Sequence, residues 1–422
     1  MASIFKSQIR SVEHTHGGQI TVKVLVADKF EETGLAGLRA VGCDVLYEPE
    51  LAGDSLRARL SESSADVLVV RSTKVGASEI EQATRLGLIV RAGAGVNTID
   101  LKAASSRAIA VSNCPGKNAI AVAELTFGLI LALDRRIADQ TADLVRGVWK
   151  KTEYGKARGL AGRTLGVLGL GPIGREVTRR AQAFGMRVVA FSRSLNDTSA
   201  RGLGVTAARS IHEVAMAADI VTVHLALTRE TRGLLDAAFF GAMQTGAFFV
   251  NTSRGEVVDE AALLAAVRDR GLRAGLDVFS REPEGGSSTF EDPIIKFPGV
   301  VGTHHVGAST EQAQNAIAEE AVRIVSTFKT TGQVPNAVNL ADRTPSTHLL
   351  TVRHRDRVGV LAHVFSELKA AGINIGQAEN VVFAGAEAAS ARIQMSREPD
   401  AAVLQRIREG CTDVLSLSIT PL

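Results

Sequence analysis

Aromatic side chains are scarce in this sequence: one tryptophan, two tyrosines and fifteen phenylalanines make up 4% of 422 residues. That argues against an aromatic-rich binding surface, whereas forty glycines point to tight turns and close backbone approaches. Cysteine is scarcer still. Cys43, Cys114 and Cys411 stand far apart, in neither a disulfide framework nor a metal-ligand spacing, so no metal is expected. Neither sign of charge dominates: 48 basic against 45 acidic side chains leave +3, too little to argue for nucleic acid or an anionic membrane. No apolar run reaches the ~18 residues of a membrane span, and the longest, Leu125 to Leu133, is half that. Met1 to Val12 contains no acid and carries Lys6 and Arg10, a faint likeness to an organelle transit peptide, without the apolar core of a secretory signal. The reading is a short frayed tail (1–20) on a soluble, cytoplasmic protein.

The remaining composition, 45% hydrophobic and 22% charged, is that of an ordinary globular chain. Its length suggests about three domains at ~150 residues each. From Thr21 apolar bursts alternate with helix-like stretches, the pattern of parallel α/β units. Val22–Ala27, Asp66–Val70 and Leu88–Arg91 read as strands, followed by one long amphipathic helix from about Asn118 to Val148. A second series offers strands at Thr164–Leu168, Val188–Phe191, Ile220–His224, Ala247–Asn251, Ala274–Val278 and Val300–Thr303. A Gly/Ser-rich loop lies between Glu282 and Pro293, and a helix from Thr310 to Thr330 stops at Gly332 and Pro335. The last 75 or so residues read as βαββαβ, enough for a ferredoxin-like module. The expected fold is α/β: a Rossmann-type dinucleotide-binding domain (118–306) inserted in a flavodoxin-like substrate domain (21–117 and 307–340). A linker (341–347) and the α+β tail (348–422) follow.

Gly169-Leu170-Gly171-Pro172-Ile173-Gly174 matches GxGxxG directly after a strand and opens a helix, whose free N–H groups suit a pyrophosphate. The flanking strands supply the context that a lone glycine motif lacks. At the end of the second strand an NAD site usually places Asp or Glu on the ribose 2′-hydroxyl. Here stand Ser192 and Arg193, which repel no 2′-phosphate and offer it a cation, so acceptance of NADP beside NAD is expected.

Arg254, Glu282 and His305 each follow a strand of this second series, at the sheet edge where ligands bind. The three suit carbinol oxidation: His takes the hydroxyl proton, Glu orients and charges the imidazole, and Arg holds a carboxylate bidentately. A surface ion pair beside an unrelated histidine fits the spacing about as well.

The motifs Val70-Arg71-Ser72-Thr73-Lys74-Val75, Arg91-Ala92-Gly93-Ala94-Gly95-Val96, Ala123-Glu124-Leu125-Thr126, the glycine loop, and Asn251 through Asp259 together resemble the D-2-hydroxyacid dehydrogenases. So do Leu276-Asp277-Val278-Phe279, Glu282-Pro283 and His305-Val306-Gly307-Ala308-Ser309-Thr310. The resemblance, from about Thr21 to Leu340, implies a nicotinamide-dependent oxidoreductase with Arg254, Glu282 and His305 as its catalytic residues. His304, where the family often has proline, is left a structural role. It further implies Asp277 near the nicotinamide amide, Ala94, Leu225, Thr252 and Ser253 along the cofactor, and Gly95 and Val96 offering N–H groups to the substrate carboxylate. Asn97 stands where relatives often carry aspartate. Arg71, Ser72, Lys74 and Arg135 fall in segments that resemble phosphate-contacting ones, which implies 3-phosphoglycerate as substrate, with Arg135 acting across a dimer interface. Arg135 and Arg136 as simple complements to a helix dipole are the plainer reading.

The tail, with His354-Arg355-Asp356-Arg357-Val358-Gly359 and Gly372-Ile373-Asn374, resembles an ACT regulatory domain. That implies an amino-acid effector such as serine, bound by His354, Asp356 and Asn374 in a homo-oligomer. Two rivals stand beside this reading: a glyoxylate or hydroxypyruvate reductase, and a dinucleotide-sensing corepressor on the same scaffold.

Overall fold

The computed structural model describes residues 15–16, 19–283, 288–341 and 344–422. Most of the frayed-tail reading, the middle of the Gly/Ser-rich loop and part of the linker therefore lie outside the described residues. A short antiparallel pair, β1 (Thr15–His16) and β2 (Gln19–Ile20), comes first.

The first parallel sheet contains β3 (Val22–Val26), β4 (Cys43–Tyr47), β5 (Val67–Val70), β6 (Leu88–Arg91) and β7 (Ala110–Asn113). Their order is β4-β3-β5-β6-β7, all parallel. The second sheet runs β10-β9-β8-β11-β12-β13-β14, also all parallel, a doubly wound order. Its strands are β8 (Thr164–Leu168), β9 (Arg187–Phe191), β10 (Thr206–Ala207), β11 (Ile220–Val223), β12 (Phe248–Asn251), β13 (Arg273–Leu276) and β14 (Val300–Gly302). Buried runs such as VLVV in β5 and IVTV in β11 are what a sheet covered on both faces requires.

The tail sheet is antiparallel, with order β16-β17-β15-β18 from β15 (His348–Arg355), β16 (Ile375–Val382), β17 (Ala388–Met395) and β18 (Val414–Pro421). Helices Val360–Ala370 and Ala401–Glu409 complete a βαββαβ unit and bury Val364, Leu368, Val403 and Ile407 against Leu350, Val352 and Ile393. The architecture is the expected one.

Five strands escape the sequence pattern, and β1 and β2 lie in the stretch read as a frayed tail. β4 has the mixed sequence CDVLY on a sheet edge, β7 is only AVSN, and β10 is two residues long. The expected single helix from Asn118 to Val148 is corrected to two, Ala119–Arg135 and Ile137–Val145, separated by Arg136 in the left-handed region at φ 50°. The Arg136 side chain holds the break: it bonds Asp139 at 2.9 Å and Glu153 at 2.8 Å and stacks on Tyr154. Arg136 thus caps the first helix and ties it to the segment that follows. No helix among the described residues is long and apolar enough to cross a membrane.

Helix Ala119–Arg135 packs Phe127, Leu129 and Ile130 on the second sheet, while helix Glu311–Thr331 returns Ile317, Ile324 and Phe328 to the first. Glu320 ties these crossings together. It accepts from Arg323 at 3.0 Å and from Asn336 at 2.7 Å, and pairs with Lys117 at 3.4 Å. The Arg323 hydrogen bond leads the contacts that pull its carboxyl down to about 2, against the opposing effect of burial. A depressed carboxyl stabilises the fold above its unfolded pKa and loses that contribution as pH falls from about 4 towards about 2. Glu320→Gln is expected to lower Tm by a few degrees at pH 7, for a loss of about 1 kcal/mol. Thermal melts at pH 7 and pH 3 check this, and the difference from wild type shrinks at the lower pH.

Candidate active site

The carboxyl ends of the second sheet carry three turns, and one polar side chain pins each. Asn251 ends β12 almost wholly buried; its Oδ1 accepts from Ser253 N at 2.9 Å and Ser253 Oγ at 2.8 Å, and its amide donates to Arg254 O at 2.8 Å. Asp277, just past β13, accepts from Thr303 Oγ1 at 2.7 Å, Val306 N at 2.9 Å and Gly307 N at 2.9 Å. Its own carbonyl takes the N–H of His305 at 2.8 Å, which keeps that residue at φ 52°. The third turn, Phe279 to Glu282, is gripped by Glu260, which accepts the Ser280 N–H at 2.6 Å and the Ser280 hydroxyl.

These turns bring the proposed catalytic residues together. His305 Nδ1 lies 2.6 Å from Glu282 Oε2, and Glu282 Oε1 also accepts Phe279 N at 2.9 Å. Burial alone would raise the Glu282 carboxyl. The hydrogen bond and charge of His305, with Phe279 N and Arg254, outweigh it and hold the group below its ordinary range. A carboxylate on Nδ1 makes that nitrogen the donor and leaves Nε2 facing outward as the proton acceptor. His304 is exposed.

Arg254 donates to Ser253 O at 2.5 Å and lies against Gly95, where a Cβ would come within 2.2 Å of its guanidinium. Gly95, Val96 and Asn97 thus face the second sheet's Arg254 across the cleft. Desolvation lowers the Arg254 pKa, opposed by Glu282 and Glu256. Arg91, which ends β6, was not singled out as a site residue from sequence. Its Nε is buried without a partner, and burial, then Arg254 and Arg71, pull its pKa down to about 10. Three arginines, Arg71, Arg91 and Arg254, therefore lie close enough to interact at this end of the cleft. The signal available in the sequence was an arginine closing an otherwise apolar strand.

Arg71, Ser72 and Thr73 follow β5. Their N–H groups converge on Asp28 at 2.6, 3.1 and 3.0 Å, and Ser72 Oγ donates to the same carboxylate. Ser72 is thereby engaged with Asp28, and the Arg71 and Lys74 backbone is fixed at the reversal point between β3 and β5. Arg135 does not join the cluster within one chain: it closes helix Ala119–Arg135, exposed, at the far end from the cleft.

The glycine loop has the shape a dinucleotide needs. Gly169 sits at φ 96° with His224 O only 2.5 Å from where a Cβ would be, and Gly174 packs its Cα on Gly169 O. Gly171 faces open space before Pro172 and Ile173 start the helix Pro172–Ala183. Leu225 lies against Gly169. His224, missed from sequence, has an Nδ1 buried without a partner at the β8–β11 reversal, and desolvation drives its pKa down to about 3. An orphaned buried nitrogen beside a loop that admits no Cβ fits a bound dinucleotide. Thr252 Oγ1 lies 3.0 Å from Thr126 Oγ1, and both are buried. Ala94 O accepts Asn113 Nδ2 at 2.5 Å. Ser192 and the exposed Arg193 follow β9, with Glu230 near enough for Arg193 to favour its ionised form. Among the described residues no cluster could hold a metal.

The fold and the cleft are those of a nicotinamide-type dehydrogenase scaffold. Residues 127–307 match the family described as D-isomer specific 2-hydroxyacid dehydrogenase, NAD binding domain. A solved structure of the TT0316 protein from Thermus thermophilus is 34% identical, with a TM-score of 0.67, covering 75% of this chain and 100% of that one. The NAD+-bound 3-phosphoglycerate dehydrogenase of Entamoeba histolytica is 27% identical with a TM-score of 0.64, covering 76% and 99%. The D-3-phosphoglycerate dehydrogenase of Methanocaldococcus jannaschii is 42% identical over 299 residues, 70% of this chain and 55% of that protein. The chain spans little more than half the length of the curated relatives it matches. It belongs to the D-2-hydroxyacid dehydrogenase family.

Gly255 joins two of the pinned turns: a Cβ there would lie 2.0–2.3 Å from the Phe279 carbonyl and Ser280 N. Gly255→Ala is expected to push the Arg254 and Glu282 turns apart and lower kcat/KM by about 10²-fold, the scale of a 1 Å misplacement. Dinucleotide titration of the same variant is expected to change much less than kcat/KM, because the glycine loop lies on another strand.

Proposed function

We propose that this chain oxidises 3-phosphoglycerate to 3-phosphohydroxypyruvate with a nicotinamide dinucleotide, the step that opens serine biosynthesis. The observation that carries the substrate is the arginine pocket. Arg254 suffices for one carboxylate, whereas Arg71 and the half-buried Arg91 add positive charge that a second anionic group would neutralise. The relatives named as D-3-phosphoglycerate dehydrogenases support the same choice.

When bound, the nicotinamide ring supplies the hydride acceptor. Arg254 holds the substrate carboxylate, helped by the Gly95 and Val96 N–H groups. His305 Nε2 takes the hydroxyl proton as the carbinol is oxidised, and Glu282 stabilises the imidazolium that forms. In the reverse direction the imidazolium returns the proton. Oxidation therefore starts from the neutral imidazole and reduction from the imidazolium.

Cofactor choice follows from Ser192 and Arg193, with no carboxylate at the end of β9. The strand register sets β10 beside β9, so Arg209 emerges next to Ser192 as a second cation. NADP(H) is accepted in this reading. Arg193→Ala weakens NADP(H) by about 1.5–3 kcal/mol and spares NAD(H), and fluorescence titration with each dinucleotide reads the difference.

The functional unit is a homodimer or tetramer. Segment 137–149 exposes Ile137, Leu144, Val145 and the single Trp149, while Asp143 ties the segment to itself through Arg146, Lys150 and Tyr154. Such an apolar face, stiffened from behind, suits a second copy of the chain and would carry Arg135 towards the partner's cleft. The tail is an ACT-type regulatory domain for an amino acid such as serine. His354 lies in β15, buried, with Nδ1 on Arg355 O at 2.7 Å and Nε2 on Asn380 Oδ1 at 3.1 Å, so both its ring nitrogens are engaged within the module. Asp356 follows that end of β15 and Asn374 lies beyond the other, so an effector site using both draws them from two chains.

Initial rates with phosphoglycerate, glycerate, hydroxypyruvate and glyoxylate, each with both nicotinamide cofactors, test the reading. Phosphoglycerate is expected to give the highest kcat/KM, and Arg91→Ala is expected to remove that preference. Faster turnover of glyoxylate or hydroxypyruvate would favour the reductase, and no turnover of any would favour the sensing protein. His305→Ala is expected to lose about 10²–10⁴-fold, the range for a general base. His304→Ala is expected to lose far less.

A further inference from the structure

The turn that carries Glu282 is packed at its start, where Phe279 is buried against Phe290. Beyond it the Arg281–Asp292 ion pair at 3.5 Å reaches the exposed residues from their far side. Ser280, Arg281 and Glu282 are all exposed, in contrast to the buried strand residues before them. Yet Glu282 meets His305 at 2.6 Å, a spacing that requires the turn to hold still. Its anchor comes from another element. Glu260 is the first residue of helix Glu260–Arg270, immediately after the Asp259 cap, whose carboxylate accepts Ala262 N. The side chain points across to Ser280, with one oxygen on the N–H at 2.6 Å and the other on the hydroxyl. Two contacts from a rigid carboxylate to two donors of one residue fix its rotation as well as its position. Behind the turn, Gly255 allows backbone to touch backbone, so the peptide of Phe279–Ser280 is held between that contact and Glu260. Phe279 N, in the same peptide neighbourhood, then orients Glu282 itself.

We propose that Glu260 is a positioning residue for proton transfer: it sets the distance and direction of Glu282 towards His305 without touching substrate or cofactor. The proposal rests on the reading of Glu282 and His305 as the proton-transfer pair. It explains why this acid is spent on an exposed serine when the helix N-terminus already has Asp259 as its cap.

The test is a mutant cycle in the full-length protein, assayed in both directions with whichever hydroxyacid and ketoacid the wild type turns over. Glu260→Ala is expected to lower kcat by about 10–10²-fold, as a small misplacement at the reacting groups does. The dinucleotide KM stays near wild type. Its pH–rate profile is expected to follow that of Glu282→Gln, a readout that simple loss of stability would not move. In the Glu282→Gln background, Glu260→Ala is expected to cost no more than about 2-fold further, because coupled residues are not additive. Ser280→Ala and Glu260→Gln, which each remove one contact, are expected to fall between, and they decide the matter if Glu260→Ala does not fold. Equal losses in both backgrounds with an unchanged pH profile would overturn the proposal, as would a wild-type kcat in Glu260→Ala beside an impaired Glu282→Gln. A wild-type kcat in Glu282→Gln would instead overturn the pair assignment and this proposal with it.

Discussion

A parallel strand that ends in a turn leaves backbone N–H groups without partners, and in this cleft polar side chains of the chain itself satisfy them. Asn251, Asp277 and Asp28 lie at or just past the ends of their own strands and fold back over the turns. Glu260 does the same from a helix start. Each bond removes the cost of a shielded unpaired donor, about 1–3 kcal/mol where the group is buried. Each also fixes the residue that the turn displays: Arg254, His305, Arg71 and Glu282. The same hydrogen bonds that let the sheet ends be ordered therefore set the geometry of the site. Packing alone would not, since the displayed residues are partly or wholly exposed.

The charge arrangement adds to this frame. Burial, and then repulsion from Arg254 and Arg71, lower the Arg91 pKa to about 10. A fold tolerates such a cluster when an anion completes it. Glu282 offsets part of the field at Arg254, but it is committed to His305. The cleft thus separates two tasks that both involve charge. In the proposed reaction one end neutralises anionic substrate groups, while the other holds the Glu282–His305 pair that moves the proton. The β8–β11 reversal, with Gly169 against His224 O and the His224 imidazole held neutral by burial, carries no charge of its own.

Much of this was legible in the sequence, and the reasons are local. Buried parallel strands print as unbroken apolar runs, so β5, β8 and β11 stood out within a residue or two of their ends. The glycine loop announced itself by its spacing after a strand, and Gly169 and Gly174 each answer a steric demand there. Arg254, Glu282 and His305 were readable as strand-end polar residues, and the structure sets two of them in hydrogen-bond contact. What stayed hidden depended on pairs far apart in the chain. β4 is a mixed edge strand and β7 is half polar, so neither has a pattern without its neighbours. Arg136 breaks a helix because Glu153 and Tyr154 return to meet it, which no helical periodicity records. Glu260 and Asp28 look like ordinary surface acids until the turns they grip are in place.

The tail follows the opposite logic from the cleft. There the chain's own side chains converge on one point. In the tail, His354 spends both ring nitrogens inside the module, and the strand register holds Asp356 and Asn374 at opposite ends of β15. Two outer strands, β16 and β18, have one neighbour each, and β16 ends in the exposed Val381, Val382 and Phe383. Sheet edges of this kind pair readily with other chains. If an effector is to meet both Asp356 and Asn374, association of tails must come first, and ligand binding then stabilises the associated form by mass action. Assembly and regulation would be one equilibrium, and the apolar face of segment 137–149 would set its other half.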